Sequence, residues 1–363
     1  VGGGCNSLSP SKVTLYVEDD QTTIETSWPL AAKVDLDSLR KEVGIPEYVD
    51  LEYFPMRRAI VVFWAAMNAA KLHELYPDVY PRKVSDDPIR FLLFGGGAVK
   101  LHCRSSNGKS APFYRELKDL DLMVPRKQVD KAKTLLLGLG EAFGTQFIHF
   151  LTRYDKRYNG LRAGRRFRYH VIDELLGQGP AVGVLDLFAD SIELRHKIDC
   201  RQDFARPQEN PFTISLGNII LSKCQYILDA PAELRDKMQA ERQLYRILNY
   251  EGYDPSRVII GMELKDMKDV SSVLYDHDIG SGAERIDIRS MLEALRKDEK
   301  LRLTVRLNLE NLLRNAHVVI SQDDEVRNRV RKQLEVILRE IPPVEKNFKK
   351  AWWEEAVETP TVN

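Results

Sequence analysis

The chain lacks a C-x-x-C pair: its four cysteines, Cys5, Cys103, Cys200 and Cys224, are scattered. This spacing frames neither zinc nor a disulfide ladder, and a reducing compartment is expected. No histidine pair has the spacing of a zinc-binding helix. Net charge is lacking too, because 54 Lys plus Arg balance 54 Asp plus Glu. No global field draws such a chain to nucleic acid or an anionic membrane, so any such binding must be local. The longest apolar run, residues 59–70 (AIVVFWAAMNAA), contains Asn68 and falls short of the roughly 20 residues that span a bilayer. It reads as a buried helix. The opening VGGGCNSLSPSK has no charged start followed by an apolar stretch, so a cytoplasmic protein without a signal peptide and without a membrane partner is expected. No internal repeat or low-complexity segment is visible.

What is present is an ordinary globular balance, 43% hydrophobic and 30% charged over 363 residues. That length favours two or three packed units. Residues 1–85 read as an N-terminal extension, irregular at first and then helical over 55–76. Residues 86–205 carry short apolar runs of strand length: RFLLF, LDLMV, QFIHFLT, FRYHVID and VGVLDLF. Between the second and third, residues 127–142 read as a helix despite Gly138 and Gly140. Residues 206–363 read as a helical domain, with helices over 216–228, 232–249, 267–275, after Asp287, over 307–320 and over 324–341. The last has Val326, Val330, Leu334, Leu338 and Ile341 on one face. The fold class expected is α/β (α+β), a mixed sheet with flanking helices followed by a helical C-terminal domain.

In FLLFGGGAVKLHC an apolar strand runs into glycines and then a helix. Such a turn lets backbone N–H groups approach a phosphate at the positive end of the helix, although similar turns also serve packing. Downstream, KDLDLMV alternates Asp119 and Asp121 with leucines. Residues two apart on a strand face the same way, with Cα atoms roughly 6.6 Å apart. Two carboxylates so close repel, by roughly 4 kcal/mol at 4 Å and an effective dielectric near 20. A divalent cation between them relieves this, and phosphoryl and nucleotidyl transfer use such a cation. The alternative is a pair of exposed acids on an edge strand. Asp186, flanked by Leu185 and Leu187, needs a partner if buried, and metal is one. Asp190 fits the following turn better. The stretch RYDKRYNGLRAGRRFRYH interleaves Arg153, Arg157, Arg162, Arg165, Arg166 and Arg168 with aromatics. It is a candidate triphosphate or acceptor surface, or else a solvated hairpin. His102, which follows the glycine turn, reads as a core histidine or else as a residue touching the site, and His196 and His277 are open to the same two readings.

Together these segments resemble the nucleotidyltransferase superfamily with the polymerase-beta-like fold. The finer resemblance is to its AbiEii-like toxin branch and related uncharacterised bacterial nucleotidyltransferases, through FGGGAVKLHC, KDLDLMV, LDLF, SLGNIILSKCQYI and KDMKDV. The resemblance implies that Gly95 and Gly96 bind nucleotide phosphate, that Asp119, Asp121 and Asp186 hold Mg2+ or Mn2+, and that Asp186 helps activate the attacking hydroxyl. It also implies that Lys223 and Arg166 bind the nucleotide, and it matches Lys265, Asp266, Lys268 and Asp269 to a charged motif. A salt-bridged helix start explains that motif equally well. The implied activity moves an NMP from an NTP to RNA, protein or a small molecule; in the toxin version an antitoxin restrains it. A binding module for nucleotide or RNA, without turnover, is the alternative. One departure from the common pattern is the polar stretch RSSNGKSAPFYRELK before the acids. It is either a loop over the site, with Lys109 near the phosphates, or a surface insertion.

Overall fold

The computed structural model describes residues 11–17, 20–26, 35–143, 151–161, 165–172, 181–206, 211–235, 245–320 and 323–354. The fold is a mixed α/β arrangement with a largely helical C-terminal region. Its N-terminal segment is more regular than expected. Strands β1 (Ser11–Val17) and β2 (Asp20–Thr26) form an antiparallel hairpin, and a helix α1 (Leu36–Val43) follows. Asp35 caps that helix by accepting from Ser38 N, and Gly44 closes it at φ 82°, so both its ends carry ordinary stop and start chemistry. The expected long helix is α2 (Phe54–Met67), closed by Asn68 rather than running on to residue 76. Its apolar run is buried from Ala59 through Phe63, and it packs on the central sheet and on α4, defined below.

The central sheet has the strand order β3-β4-β7-β6-β5, built from β3 (Leu92–Leu93), β4 (Leu120–Val124), β5 (Leu151–Tyr154), β6 (Arg166–Ile172) and β7 (Ala181–Ala189). Only β4 and β7 run parallel; the other neighbours are antiparallel. The expected run QFIHFLT lies mostly outside the described residues. Helix α3 (Gly95–His102) leaves β3 directly, and α4 (Val129–Phe143) leaves β4 through a short turn. Gly138 survives in α4 because a side chain there would enter the ring of Tyr80, whose hydroxyl donates to Leu135 O at 2.8 Å. A small hairpin, β8 (Ser191–Glu193) and β9 (Lys197–Asp199), ends this part.

Beyond it, α5 (Leu216–Lys223) stops short of residue 228, and the chain turns to strand. Strands β10 (Leu228–Pro231), β11 (Tyr245–Leu248) and β12 (Arg257–Glu263) form an antiparallel sheet in the order β10-β12-β11. This corrects the helix expected over 232–249, of which 236–244 lie outside the described residues. Ile247 and Leu248 pair with Ile260 and Ile259 of β12, and cross-strand packing of this kind overrides local helix propensity. Helices α6 (Leu264–Asp276), α7 (Ile288–Lys297), α8 (Glu299–Arg314) and α9 (Asp324–Glu340) complete the region. On α9, Val326, Val330 and Leu334 are buried as the helical spacing predicts.

One buried apolar core runs from Val43 to Ile341 and takes residues from α2, the central sheet and the C-terminal helices alike. A second cluster seats Trp352 and Trp353 against Leu248, Ile259, Leu303 and Leu307. Asn308 of α8 ties the small sheet to α5. It is fully buried, its Oδ1 accepts from Met262 N at 2.9 Å, and its Nδ2 donates to Cys224 O at 2.9 Å and Tyr226 O at 3.0 Å. Asn308→Ala strands these backbone groups without water and is expected to destabilise the fold by roughly 2–4 kcal/mol in urea unfolding. A change below about 0.5 kcal/mol would mean that the three bonds contribute nothing net.

Candidate active site

The site begins where β3 turns into α3. Phe94 is extended, and its N–H donates to Asp121 O at 3.2 Å. Gly95 then takes φ +62°, a left-handed conformation that side chains resist. A Cβ at Gly95 would lie 2.5 Å from Asp121 Oδ2, and one at Gly96 would collide with the guanidinium of Arg115. The two glycines therefore admit a carboxylate and a guanidinium against the start of α3, which is buried along its length and has no side-chain cap at its N-terminus.

Alternation on β4 and β7 places the acids. Leu120, Leu122, Leu185 and Leu187 are buried in the core, so Asp121 and Asp186 face the other way. Parallel register sets Asp121 directly beside Asp186. Asp119, one residue before β4 and exposed, accepts from Val184 N at 3.1 Å. Burial, with the nearby charges of Asp186 and Asp119, pushes the Asp121 carboxyl up to about 7, against the pull of Arg166 and Lys223. Burial acts the same way on Asp186, yet Arg166 and Arg168 outweigh it and hold that carboxyl below its ordinary value.

Those arginines come from the basic stretch and stand on β6, beside β7. Arg166 Nη2 donates to Asp186 Oδ2 at 2.6 Å; Arg168 donates to Asp186 through Nε and Nη2, each at 2.9 Å. Both guanidiniums stack on Tyr158, at 5.3 and 4.3 Å from its ring centre. The partner of Asp186 in this structure is therefore a pair of guanidiniums. Arg165 instead pairs with Glu193, and Arg162 lies outside the described residues.

A second charged cluster adjoins the first. Lys223, at the end of α5, bonds Asp269 at 2.7 Å and Asp266 at 3.0 Å. Asp269 also takes a two-pronged contact from Arg115, whose Nε and Nη2 each lie at 2.7 Å. Burial alone would raise the Asp269 carboxyl, but Lys223 and Arg115 hold it down to about 2. The charged motif thus divides: Asp266 and Asp269 join the site, Lys268 donates to Tyr114 O at 3.0 Å, and Lys265 pairs with Glu263. Arg115 stands in the polar stretch, in which the residue pattern points to Lys109 instead. Lys109 is exposed and pairs with Glu52 at 3.8 Å. The histidines are core residues: His102 contacts Thr213 and Glu284, and His196 contacts Thr304.

Among the described residues, no three His, Cys, Asp or Glu side chains converge as metal ligands. The carboxylates that could hold a divalent cation are Asp119, Asp121 and Asp186, and both oxygens of Asp186 already accept from arginines. Asp119 precedes Asp121 by two on the strand line, register puts Asp186 alongside, and the charge on Asp121 is opposed by both neighbours. A cation at Asp121 would relieve that opposition, as the arginines do for Asp186.

The raised Asp121 carboxyl has a consequence for stability. Its value of about 7 in the folded chain exceeds the ordinary 3.8. The stabilising proton uptake is fully present below about pH 4 and is lost as pH rises through about 7. Asp121→Asn removes this titration. In metal-free buffer its melting temperature should equal that of the native chain near pH 4, exceed it increasingly up to about pH 7, and keep a constant margin above. A margin that does not change with pH would overturn the assignment of charge repulsion at Asp121.

No family model, no curated protein and no solved structure matches this chain.

Proposed function

We propose that the chain is a metal-dependent nucleotidyltransferase that moves an NMP from an NTP to a hydroxyl acceptor on RNA, protein or a small molecule. The observation that carries this reading is the meeting of Asp121, Asp186 and the cations Arg166, Lys223 and Arg115 around Gly95 and Gly96, at a buried helix start with no side-chain cap. Backbone N–H groups at that start, with the positive end of the helix, suit a triphosphate. Arg166 and Lys223 suit its charge. Asp119, Asp121 and Asp186 would hold magnesium or manganese, which neutralises the triphosphate and steadies the attacking and leaving oxygens.

In the reaction, the acceptor oxygen bonds to the α-phosphorus as its bond to the bridging oxygen breaks, and pyrophosphate leaves. The acceptor proton passes to a carboxylate of the trio. A cleft of about 400 Å3 lined by Tyr53, Phe54, Arg58, Lys109, Tyr114 and Lys118 reaches the residue before Asp119. Its lining also carries Glu52 and Glu116, and Lys109 is paired with Glu52, so its charge is mixed. The motif resemblance to the AbiEii-like branch extends the reading to a toxin restrained by an antitoxin.

The two guanidiniums on Asp186 favour a second reading, a nucleotide- or RNA-binding module without turnover, because they already satisfy the third acid. Incubation with each labelled NTP, magnesium and total cellular RNA or protein separates the two. For the enzyme, Asp119→Ala and Asp186→Ala are each expected to reduce label transfer by at least roughly 100-fold. No transfer from any donor, with NTP binding that survives Asp186→Ala, would favour the binding module.

A further inference from the structure

Arg115 belongs to none of the segments that supply the glycines, the acids or Lys223. It stands in the stretch between α3 and β4, which is fastened just ahead of Arg115. Ser105 N and Oγ donate to Asp276 Oδ2 at 2.9 and 2.8 Å, Lys268 Nζ donates to Tyr114 O, and Phe113 is buried. The stretch is therefore built into the fold, and the second of its two arginines, Arg115, is delivered to the glycine turn with a side chain only 13% exposed.

Burial alone disfavours a cation there, and Asp269, with Asp266 and Asp121 nearby, outweighs that cost and keeps the Arg115 guanidinium charged. The start of α3 carries partial positive charge, no side chain caps it, and Lys223 and Lys100 stand close. Burial and the nearby Arg115 charge hold Lys100 down to about 8. Asp269 offsets the clash, but it serves Lys223 at the same time. An anion at the helix start would draw together the N–H groups, the guanidinium and the ammonium.

We propose that Arg115 is a triphosphate-binding residue, stored beside Gly96 by its two-pronged contact with Asp269 and turned onto the phosphates when nucleotide enters. The proposal rests on the nucleotidyltransferase reading and adds a phosphate contact from the polar stretch. Asp269 is the positioning residue: it orients the guanidinium edge toward the glycine turn and keeps Lys223 charged within the buried site.

Calorimetric titration of the full chain with inorganic tripolyphosphate and with orthophosphate, both in magnesium, tests this without knowledge of the base. Arg115→Ala is expected to weaken tripolyphosphate binding by roughly 10- to 100-fold, the range for a lost charge-assisted contact. Orthophosphate, too short to need Arg115 as well as Lys223, should lose far less. A purely structural effect would weaken both anions by one factor, and that outcome overturns the proposal. Arg115→Gln keeps a hydrogen bond to Asp269 without the charge, so it carries the test if Arg115→Ala loses its near-ultraviolet dichroism. Undiminished tripolyphosphate binding by the folded variant overturns the Arg115 assignment and leaves the nucleotidyltransferase reading standing. No tripolyphosphate binding by the native chain overturns both.

Discussion

Two carboxylates stand side by side in the register of β4 and β7, and the cost of that placement organises the charges around them. An unpaired buried carboxylate is expensive, and two adjacent ones more so. The fold answers unequally. Asp186 receives two guanidiniums from β6, whereas Asp121 receives none directly and holds its proton to about neutral pH. One acid therefore keeps its charge below the ordinary carboxylate range, and the other changes state near pH 7.

The surrounding architecture follows from this asymmetry. Antiparallel pairing of β6 with β7 puts Arg168 in register with Asp186, so the guanidinium reaches its partner from the neighbouring strand. Tyr158 backs both arginines and limits where they can turn. On the opposite flank, α5 and α6 bring Lys223, Asp266 and Asp269 together, and the polar stretch adds Arg115. The glycine turn lies between the two charged groups, in contact with Asp121 on one side and Arg115 on the other.

Much of this was legible in residue patterns. The alternation of leucine with aspartate in LDLMV and VGVLDLF placed both acids on strands, and the apolar run before the glycines marked β3 and the start of α3. Lys223 and the charged KDMKDV motif also lie where the site forms. Other features depend on pairing between distant segments, which local pattern does not encode. The three-stranded sheet of β10, β11 and β12 read as helix because Tyr245–Leu248 becomes strand only against Ile259 and Ile260. The partnership of Arg166 and Arg168 with Asp186 needed the β6–β7 register. Arg115 was passed over because an arginine in a polar stretch carries no periodic signal. The N-terminal hairpin and α1 did carry signals, in the alternating SKVTLYV and in the Asp35 and Gly44 caps, that the reading of an irregular start missed.

Asp269 joins Lys223 of α5 to Arg115, more than a hundred residues earlier in the chain. During synthesis this has an order built into it. A nascent chain that has reached only the end of β7 already holds the glycine turn, the three acids and the arginines of β6, yet Lys223 and Asp269 do not exist. The half of the site built on Lys223, Asp269 and Arg115 thus closes last, after α6 has left the ribosome, and a chain broken off earlier carries Arg115 without the carboxylate that holds it.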